Sequence, residues 1–143
     1  MFPLSTLSSS WYSFMPSGQD ACVDVSAGKN APPGSPIGTY VCFGSGTDFQ
    51  LFTLDPLAGT LVAIRTAVSN FNVAADPDGA VIVQVNDPSN PAQRWEPQLE
   101  SPGAFQFVNE SNGLCLTAPA SFGPLSVSAC DGSPAQAFTA VPG

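Results

Sequence analysis

The sequence predicts an all-β domain built from three copies of one repeat of about 43 residues, and two observations carry this prediction. First, a Gln-x-aromatic triplet recurs at a constant interval of 43 residues along the 143-residue chain. The three triplets are Gln50 with Phe52, Gln93 with Trp95, and Gln136 with Phe138. Second, 15 prolines and 13 glycines favour many turns and short strands over helices. A period of this size is typical of symmetric units that bury their apolar faces together.

We interpret the triplets as structural. Successive side chains of a strand point to opposite faces, so a Gln and an aromatic residue two positions later share a face. The ring then enters the core while the amide group hydrogen-bonds to backbone beside it. The alternative, in which the Gln side chains touch a ligand, stays open.

Each repeat is predicted to hold four short strands, which gives twelve strands in a single domain over residues 1–143. The repeats span about 11–53, 54–96 and 97–139, and residues 1–10 form an N-terminal extension. Alternating apolar residues indicate strands at 11–14, 21–25, 38–43, 49–54, 59–64, 70–75, 81–85, 104–108, 114–118 and 125–129. The second and third triplets supply the remaining two.

The charge of the chain excludes two classes of partner. Lys29, Arg65 and Arg94 stand against 11 acidic residues, giving a net charge of −8. Nucleic-acid binding needs clustered basic residues to displace counterions from the phosphates, and binding to anionic membrane surfaces needs basic segments as well. Three basic residues supply neither. No stretch approaches the ~20 apolar residues of a membrane span. We therefore expect neither nucleic-acid binding nor membrane insertion.

The chain contains no histidine, which removes the usual general base and the usual metal-binding imidazole. A pair of carboxylates could still cleave glycosides, but no acidic pair stands out by its spacing. Asp20, Asp24 and Asp48 are the best calcium candidates, yet the sequence does not supply the six or more oxygens that calcium takes. We expect a non-catalytic protein without a cofactor.

The four cysteines predict two disulfides, one in the first repeat and one in the third. Three pairings are possible, and the repeat favours Cys22–Cys42 with Cys115–Cys130. Aligned on the triplets, Asn72 and Asn86 stand at both corresponding positions of the second repeat, which supports pairing within a repeat. Each bridge closes a short loop, worth about 3 kcal/mol in the chain-entropy treatment. Four buried thiols are the alternative.

Structural disulfides indicate an oxidising compartment, so we expect a secreted protein. Asn109 begins an Asn-Glu-Ser glycosylation sequence, which agrees with secretion. Residues 1–15 show no basic segment followed by a long apolar run, so no signal peptide is visible. A leader already removed, or another export route, would account for this.

The triplets, the phrase Cys22-Val23-Asp24-Val25 and the cysteines within repeats together resemble the ricin-B-type lectins, which are β-trefoils. The resemblance covers nearly the whole chain and implies a β-trefoil with one shallow sugar pocket per repeat. In such a pocket a carboxylate accepts hydrogen bonds from two sugar hydroxyls, and an aromatic ring covers the apolar C–H face of the sugar. Amide side chains near the triplet complete the pocket.

Carried over residue by residue, the resemblance implies a sugar pocket in the first repeat. There Asp24 is the carboxylate, Tyr40 the ring and Gln50 the amide of the triplet. Two positions depart from the family, because Gly38 stands where a Gln is common and Phe49 where an Asn usually precedes the triplet. Asp48 and Thr47 are candidate substitutes for that missing amide.

The other two repeats lack the set of residues that binds sugar. Ala74 and Gln84 replace the acid and the ring in the second repeat, and Thr117 and Ser128 replace them in the third. The resemblance therefore implies one pocket, which would bind galactose-type or N-acetylgalactosamine-type glycans. The expected partners are free glycans or glycoproteins. Asp24 as a turn cap and Tyr40 as an ordinary strand aromatic are the structural alternatives.

Two further functions stay open. The chain also looks like the small lectin-like subunits that accompany some fungal secreted oxidases, such as laccases and tyrosinases, with sugar binding lost. This alternative predicts a large apolar surface patch and a larger enzyme partner. A protease inhibitor presenting the loop 28–36 is the other alternative, although inhibitor trefoils do not usually carry the triplets. Oligomers remain open, since avidity would strengthen one shallow pocket.

Overall fold

The computed structural model describes residues 11–43, 48–68, 70–101 and 103–142, and this part of the chain folds into β-strands and short 3-10 turns without an α-helix. Its strands are β1 (Tyr12–Pro16), β2 (Cys22–Val25), β3 (Ile37–Tyr40), β4 (Phe52–Pro56), β5 (Val62–Thr66), β6 (Asn72–Ala75), β7 (Val81–Gln84), β8 (Trp95–Ser101), β9 (Ala104–Asn109), β10 (Cys115–Thr117), β11 (Gly123–Pro124), β12 (Ser126–Ser128) and β13 (Phe138–Pro142). No helix long and apolar enough to cross a membrane occurs among these residues.

Six strands close into a barrel. Antiparallel pairings lead from β1 to β4, β5, β8, β9 and β13, and β13 pairs back with β1. Each repeat contributes its first and last strand to this ring. The two middle strands of each repeat form a hairpin, namely β2–β3, β6–β7 and β10–β12. A six-stranded barrel with three hairpins is the β-trefoil, and four principal strands per repeat match the prediction, with β11 as a short addition.

The rings of the triplets lie inside the barrel. Phe52, Trp95 and Phe138 are at most 1% exposed. Phe14 and Phe107 join them, with ring centroids 5.7 Å apart in an edge-to-face arrangement. The indole Nε1 of Trp95 donates a hydrogen bond to the Val73 carbonyl oxygen at 2.9 Å, so this buried polar atom is satisfied. The predicted core role of these rings is confirmed.

The glutamines of the triplets do not lie in strands, which corrects the prediction that Gln and ring share one strand face. Each Gln ends a 3-10 turn, and the aromatic residue begins the next strand. The turns are Asp48–Gln50, Pro91–Gln93 and Pro134–Gln136. Proline suits the first position of such a turn because its φ is fixed and its missing N–H has no partner there. The predicted strand 49–54 accordingly begins at Phe52, and the one predicted at 59–64 runs from Val62 to Thr66.

Each buried Gln clamps two backbone groups on either side of the position held by the second cysteine or its equivalent. The Nε2 donates to the carbonyl before that position, and the Oε1 accepts from the N–H after it. The clamps are Gln50 on Val41 O and Phe43 N, Gln93 on Val85 O and Asp87 N, and Gln136 on Ala129 O and Asp131 N, all at 2.8–3.0 Å. The predicted hydrogen bonding of the amide to nearby backbone is therefore confirmed.

The two disulfides pair within repeats as predicted, Cys22 with Cys42 and Cys115 with Cys130, each with a Cα–Cα distance of 5.1 Å. In the second repeat a hydrogen bond replaces the covalent bridge. Asn72 Nδ2 donates to Asn86 Oδ1 at 2.9 Å and also to Gln93 Oε1 at 3.0 Å. The polar pair is thus tied to the clamp of its own repeat.

Replacing Gln93 by Ala tests the clamp in the repeat that has no disulfide. The change removes the hydrogen bonds that Gln93 makes with the Val85 carbonyl and the Asp87 N–H, and the second of the two bonds of Asn72 Nδ2. Unpartnered buried groups cost about 1–3 kcal/mol each when water cannot replace the bond, so we expect a loss of about 2–4 kcal/mol in the free energy of unfolding. Urea denaturation measures it.

The matched control is Gln19→Ala. Gln19 is half-buried, and among the described residues its side chain donates one hydrogen bond, to the Pro119 carbonyl at 2.8 Å. We expect it to cost about 1 kcal/mol. Equal losses for the two variants would contradict a special structural role for the triplet amide.

Candidate functional site

The two predicted sugar contacts, Asp24 and Tyr40, line one open depression with a volume of about 750 Å³. We call it the first-repeat depression. It lies where the hairpin β2–β3 of the first repeat meets β11 of the third, since β11 pairs with β3. Volumes of about 300–1,000 Å³ are typical of small-molecule sites in proteins.

Asp24 lies on β2 inside this depression and is 7% exposed. Its Oδ2 accepts a hydrogen bond from Gln50 Nε2 at 3.2 Å, and Gln50 is the one described side chain that donates to it. Burial raises the pKa of Asp24 above its ordinary value of 3.8, and the hydrogen bond from Gln50 opposes this with a smaller lowering effect. Carboxylates with a raised pKa in a depression are candidates for a functional role, and Asp24 is one of them.

Tyr40 ends β3 and contacts two further aromatic rings. Its ring centroid lies 5.8 Å from Phe43 and 5.3 Å from Phe122, and Phe43 lies 5.9 Å from Phe49. The rings of Tyr40, Phe43, Phe49 and Phe122 line the depression together with Asp24, and we call these four rings the aromatic wall. Tyr40, Phe43 and Phe122 are 50–52% exposed, so the wall offers apolar surface to a ligand.

The other two predicted site residues lie outside the depression. Gln50 is 3% exposed, and its amide is used on Asp24 and on the backbone, so it positions the carboxylate. Asp48 begins the 3-10 turn of the triplet, is exposed and is not among the residues that line the depression. Phe49 lines it instead, so an aromatic surface stands where the family usually has an amide. Thr47 falls outside the described residues.

At the equivalent positions of the other two repeats, the polar side chains form hydrogen bonds within the protein. In the second repeat Ala74 is fully buried, and Gln84 Oε1 accepts from Gln93 Nε2 at 2.9 Å. In the third repeat Thr117 and Ser128 bond to each other at 2.8 Å, and both accept from Gln136 Nε2. Neither pair offers a carboxylate or a ring to a sugar.

A second recess, of about 360 Å³, gathers Arg65 and Arg94. Arg65 Nε lies 2.7 Å from Asp55 Oδ2, and Arg94 Nε lies 2.6 Å from Glu110 Oε1. Each guanidinium therefore already faces a carboxylate. The Arg65 guanidinium also lies 5.1 Å from the ring of Trp11, which is 36% exposed and not a core residue.

Asn109 is fully buried, which the sequence pattern did not anticipate. Its Nδ2 donates to the Ala92 carbonyl at 2.9 Å, and its Oδ1 accepts from Ser111 N at 3.1 Å. A glycan on Nδ2 would break the first bond and needs space that the core does not have. The structure thus argues against glycosylation of Asn109 in the folded chain.

No group of three or more His, Cys, Asp or Glu side chains within the described ranges is arranged to hold a metal ion. Asp20, Asp24 and Asp48, which the sequence offered as calcium candidates, form no such group.

Comparison with known structures identifies the same architecture. A designed three-fold symmetric protein, ThreeFoil, matches with a TM-score of 0.82 and 20% identity, covering 92% of this chain and 97% of that chain. The C-half of an earthworm R-type lectin in complex with GalNAc matches with a TM-score of 0.74 and 21% identity, over 94% and 99% of the two chains. A mosquitocidal holotoxin matches at 0.81 and 16%, over 94% of this chain and 17% of its own.

At these identities the structural likeness shows the fold alone. The comparison with curated protein sequences gives no match. The family model of the ricin-type beta-trefoil lectin domain, however, matches residues 10–138, and this range is most of the chain. The barrel, the three clamped triplets and the disulfides within repeats agree with that match. The protein belongs to the ricin-type β-trefoil lectin family.

Proposed function

We propose that the chain is a non-catalytic glycan-binding protein with one sugar site, in the first-repeat depression. The observation that supports this is the meeting of Asp24, a buried carboxylate, with the half-exposed ring of Tyr40 in one depression. Both groups suit a pyranose, because its neighbouring hydroxyls can donate hydrogen bonds to the carboxylate and its apolar C–H face can pack on the aromatic ring. The second and third repeats supply neither group at the equivalent positions.

The carboxylate of Asp24 accepts the hydroxyls of the sugar. Gln50 donates to one carboxylate oxygen from beneath and fixes the orientation of the group, so that the acceptor is organised before the ligand arrives. Hydrogen bonds to an ionised acceptor are about twice as strong as neutral ones. Tyr40 covers the apolar face of the ring.

The ligand class follows from the family. The resemblance implies galactose-type or N-acetylgalactosamine-type glycans, and the similar earthworm lectin was solved with GalNAc. One open pocket gives a dissociation constant on the order of millimolar. The two disulfides indicate an oxidising compartment, which fits a secreted protein that meets glycoproteins.

A second candidate function is an interaction subunit of a larger secreted protein, such as a laccase or tyrosinase. The exposed aromatic wall favours it, since Val41 beside Tyr40 is also 43% exposed and extends the apolar surface. Size-exclusion chromatography of the native secretion distinguishes the two. If the chain elutes together with an oxidase chain at a fixed stoichiometry, and Phe43→Ser abolishes this co-elution, the result supports the subunit function. Elution as a free monomer contradicts it.

Asp24→Asn tests the sugar site. The substitution keeps the shape of the side chain and an acceptor for Gln50 but removes the charge, so we expect glycan binding to fall at least tenfold. A glycan array with wild type and variant side by side measures this. The fold should be retained, because burial makes the ionised carboxylate a cost to the native state.

Asp20→Asn is the matched control. Asp20 is an exposed acid of the same repeat that does not line the depression, and we expect it to bind as wild type does. Binding by Asp24→Asn at the wild-type level would contradict the site.

The proposed site also predicts how binding depends on pH. Glycan affinity requires the ionised form of Asp24, and the pKa of this group lies above 3.8 in the folded chain. A plot of log affinity against pH should therefore fall towards acid with its break above pH 3.8. Titration calorimetry measures the affinity at each pH, and a break at or below 3.8 would contradict the assignment.

The contribution of Asp24 to the stability of the fold should move in the opposite direction. A carboxyl group with a raised native pKa stabilises the fold below its unfolded pKa, and this increment is lost as pH rises through the folded pKa. Protonation of Asp24 therefore does not itself destabilise the fold. Asp87 and Asp131 act in the other direction, because hydrogen bonds from Ser89 and Ser133 lower the pKa of each carboxyl and this stabilisation is lost as pH falls.

A further inference from the structure

The third repeat builds one side of the first-repeat depression. The short strand β11 pairs antiparallel with β3, Gly123 opposite Thr39 and Pro124 opposite Gly38. The approach is close, because a Cβ atom on Gly38 would lie 2.8 Å from the Gly123 carbonyl oxygen. Because Gly38 has no side chain, β11 can approach β3 closely enough to pair with it. The family commonly has a Gln at this position.

This contact fixes the loop that carries Phe122. Leu125 N donates to the Ile37 carbonyl at 2.9 Å, and Gln19 Nε2 donates to the Pro119 carbonyl at 2.8 Å, so both ends of the loop are bonded to the first repeat. Phe122 is 52% exposed, and its ring lies 5.3 Å from that of Tyr40 at an interplanar angle of 53°. The two rings are therefore in tilted contact, and both line the depression.

We propose that the sugar site is composite, with Phe122 of the third repeat as a further ligand-contacting residue. This inference rests on the proposed function. Asp24 and Tyr40 hold one pyranose ring, and Phe122 meets the group attached to it. The ligand class is accordingly a disaccharide or longer glycan whose second ring turns an apolar face to Phe122, and a single sugar fills part of the site.

The size and composition of the depression agree with a ligand of two rings. About 750 Å³ falls in the range of sites for drug-sized ligands and exceeds the needs of one pyranose. Besides Asp24 and Tyr40, the depression is lined by the rings of Phe43, Phe49 and Phe122, which are joined to Tyr40 through ring contacts. An apolar neighbour of the bound sugar would gain contact there that a free hydroxyl would not.

The test compares methyl and p-nitrophenyl β-galactosides, with the corresponding N-acetylgalactosaminides, by titration calorimetry. The phenyl ring serves as the probe for an apolar neighbour of the sugar. We expect wild type to bind the aryl glycoside about three- to tenfold more tightly than the methyl glycoside. Phe122→Ala should remove this preference, because it should weaken binding of the aryl glycoside more than binding of the methyl glycoside. Phe122→Trp should keep the preference.

Leu99→Ala is the matched control, since Leu99 is a 40% exposed apolar residue outside the depression, and it should behave as wild type. An unchanged preference in Phe122→Ala would overturn the composite site. So would an equal loss of both ligands, which would make Phe122 a structural residue. Asp24→Asn separates the two proposals, because it should weaken both glycosides, and wild-type binding by that variant would overturn the sugar site itself. Wild type binding none of the four glycosides would overturn both.

Discussion

The amide of the triplet glutamine is the group on which the rest of the structure depends. It is buried in all three repeats, where an unpartnered polar group is costly, and it bonds in each to the same two backbone groups. These bonds hold the end of the third strand and the following loop against the barrel. In the first repeat the same amide also donates to Asp24. The carboxylate proposed to bind sugar therefore rests on a group that the fold requires anyway.

The three repeats satisfy that amide in three ways, and the differences follow from the residues around it. Gln50 meets a carboxylate, Gln93 meets the amide oxygen of Gln84, and Gln136 meets two hydroxyls. The second repeat also exchanges a disulfide for the Asn72–Asn86 hydrogen bond. A scaffold repeated three times can thus keep its geometry in every copy while one copy carries the charge and the ring of the proposed sugar site.

The period of 43 residues predicted three symmetric all-β repeats, and the resemblance to the ricin-B-type lectins added the β-trefoil. The position of the cysteines within repeats, with Asn72 and Asn86 at the equivalent positions, favoured the disulfide pairing. The period did not predict the 3-10 turns, since the triplets were interpreted as strand. Pro91 and Pro134, each two positions before a triplet Gln, were the available signal. Asn109 shows the same limit, because its sequence motif is local whereas its burial is decided by strands distant in sequence.

The composition of the site was predictable in part. Asp24 and Tyr40 do line one depression, whereas Asp48 does not and Gln50 acts from beneath. Phe122 could not be found from the repeat, because its contact with Tyr40 joins different repeats at a sequence distance that no local pattern reports. Gly38, which departs from the family, was the one trace of that contact in the sequence.

The central claim is that sugar binds between Asp24 and the aromatic wall. Two-dimensional amide NMR during titration with p-nitrophenyl β-galactoside and its N-acetylgalactosaminide tests it most directly. The account predicts saturable shifts concentrated on β2, β3, Phe43, Phe122 and Gly123, with β6, β7, β10 and β12 of the other two hairpins unshifted. Shifts centred on the recess of Arg65 and Arg94, or no saturable shifts at all, would contradict it.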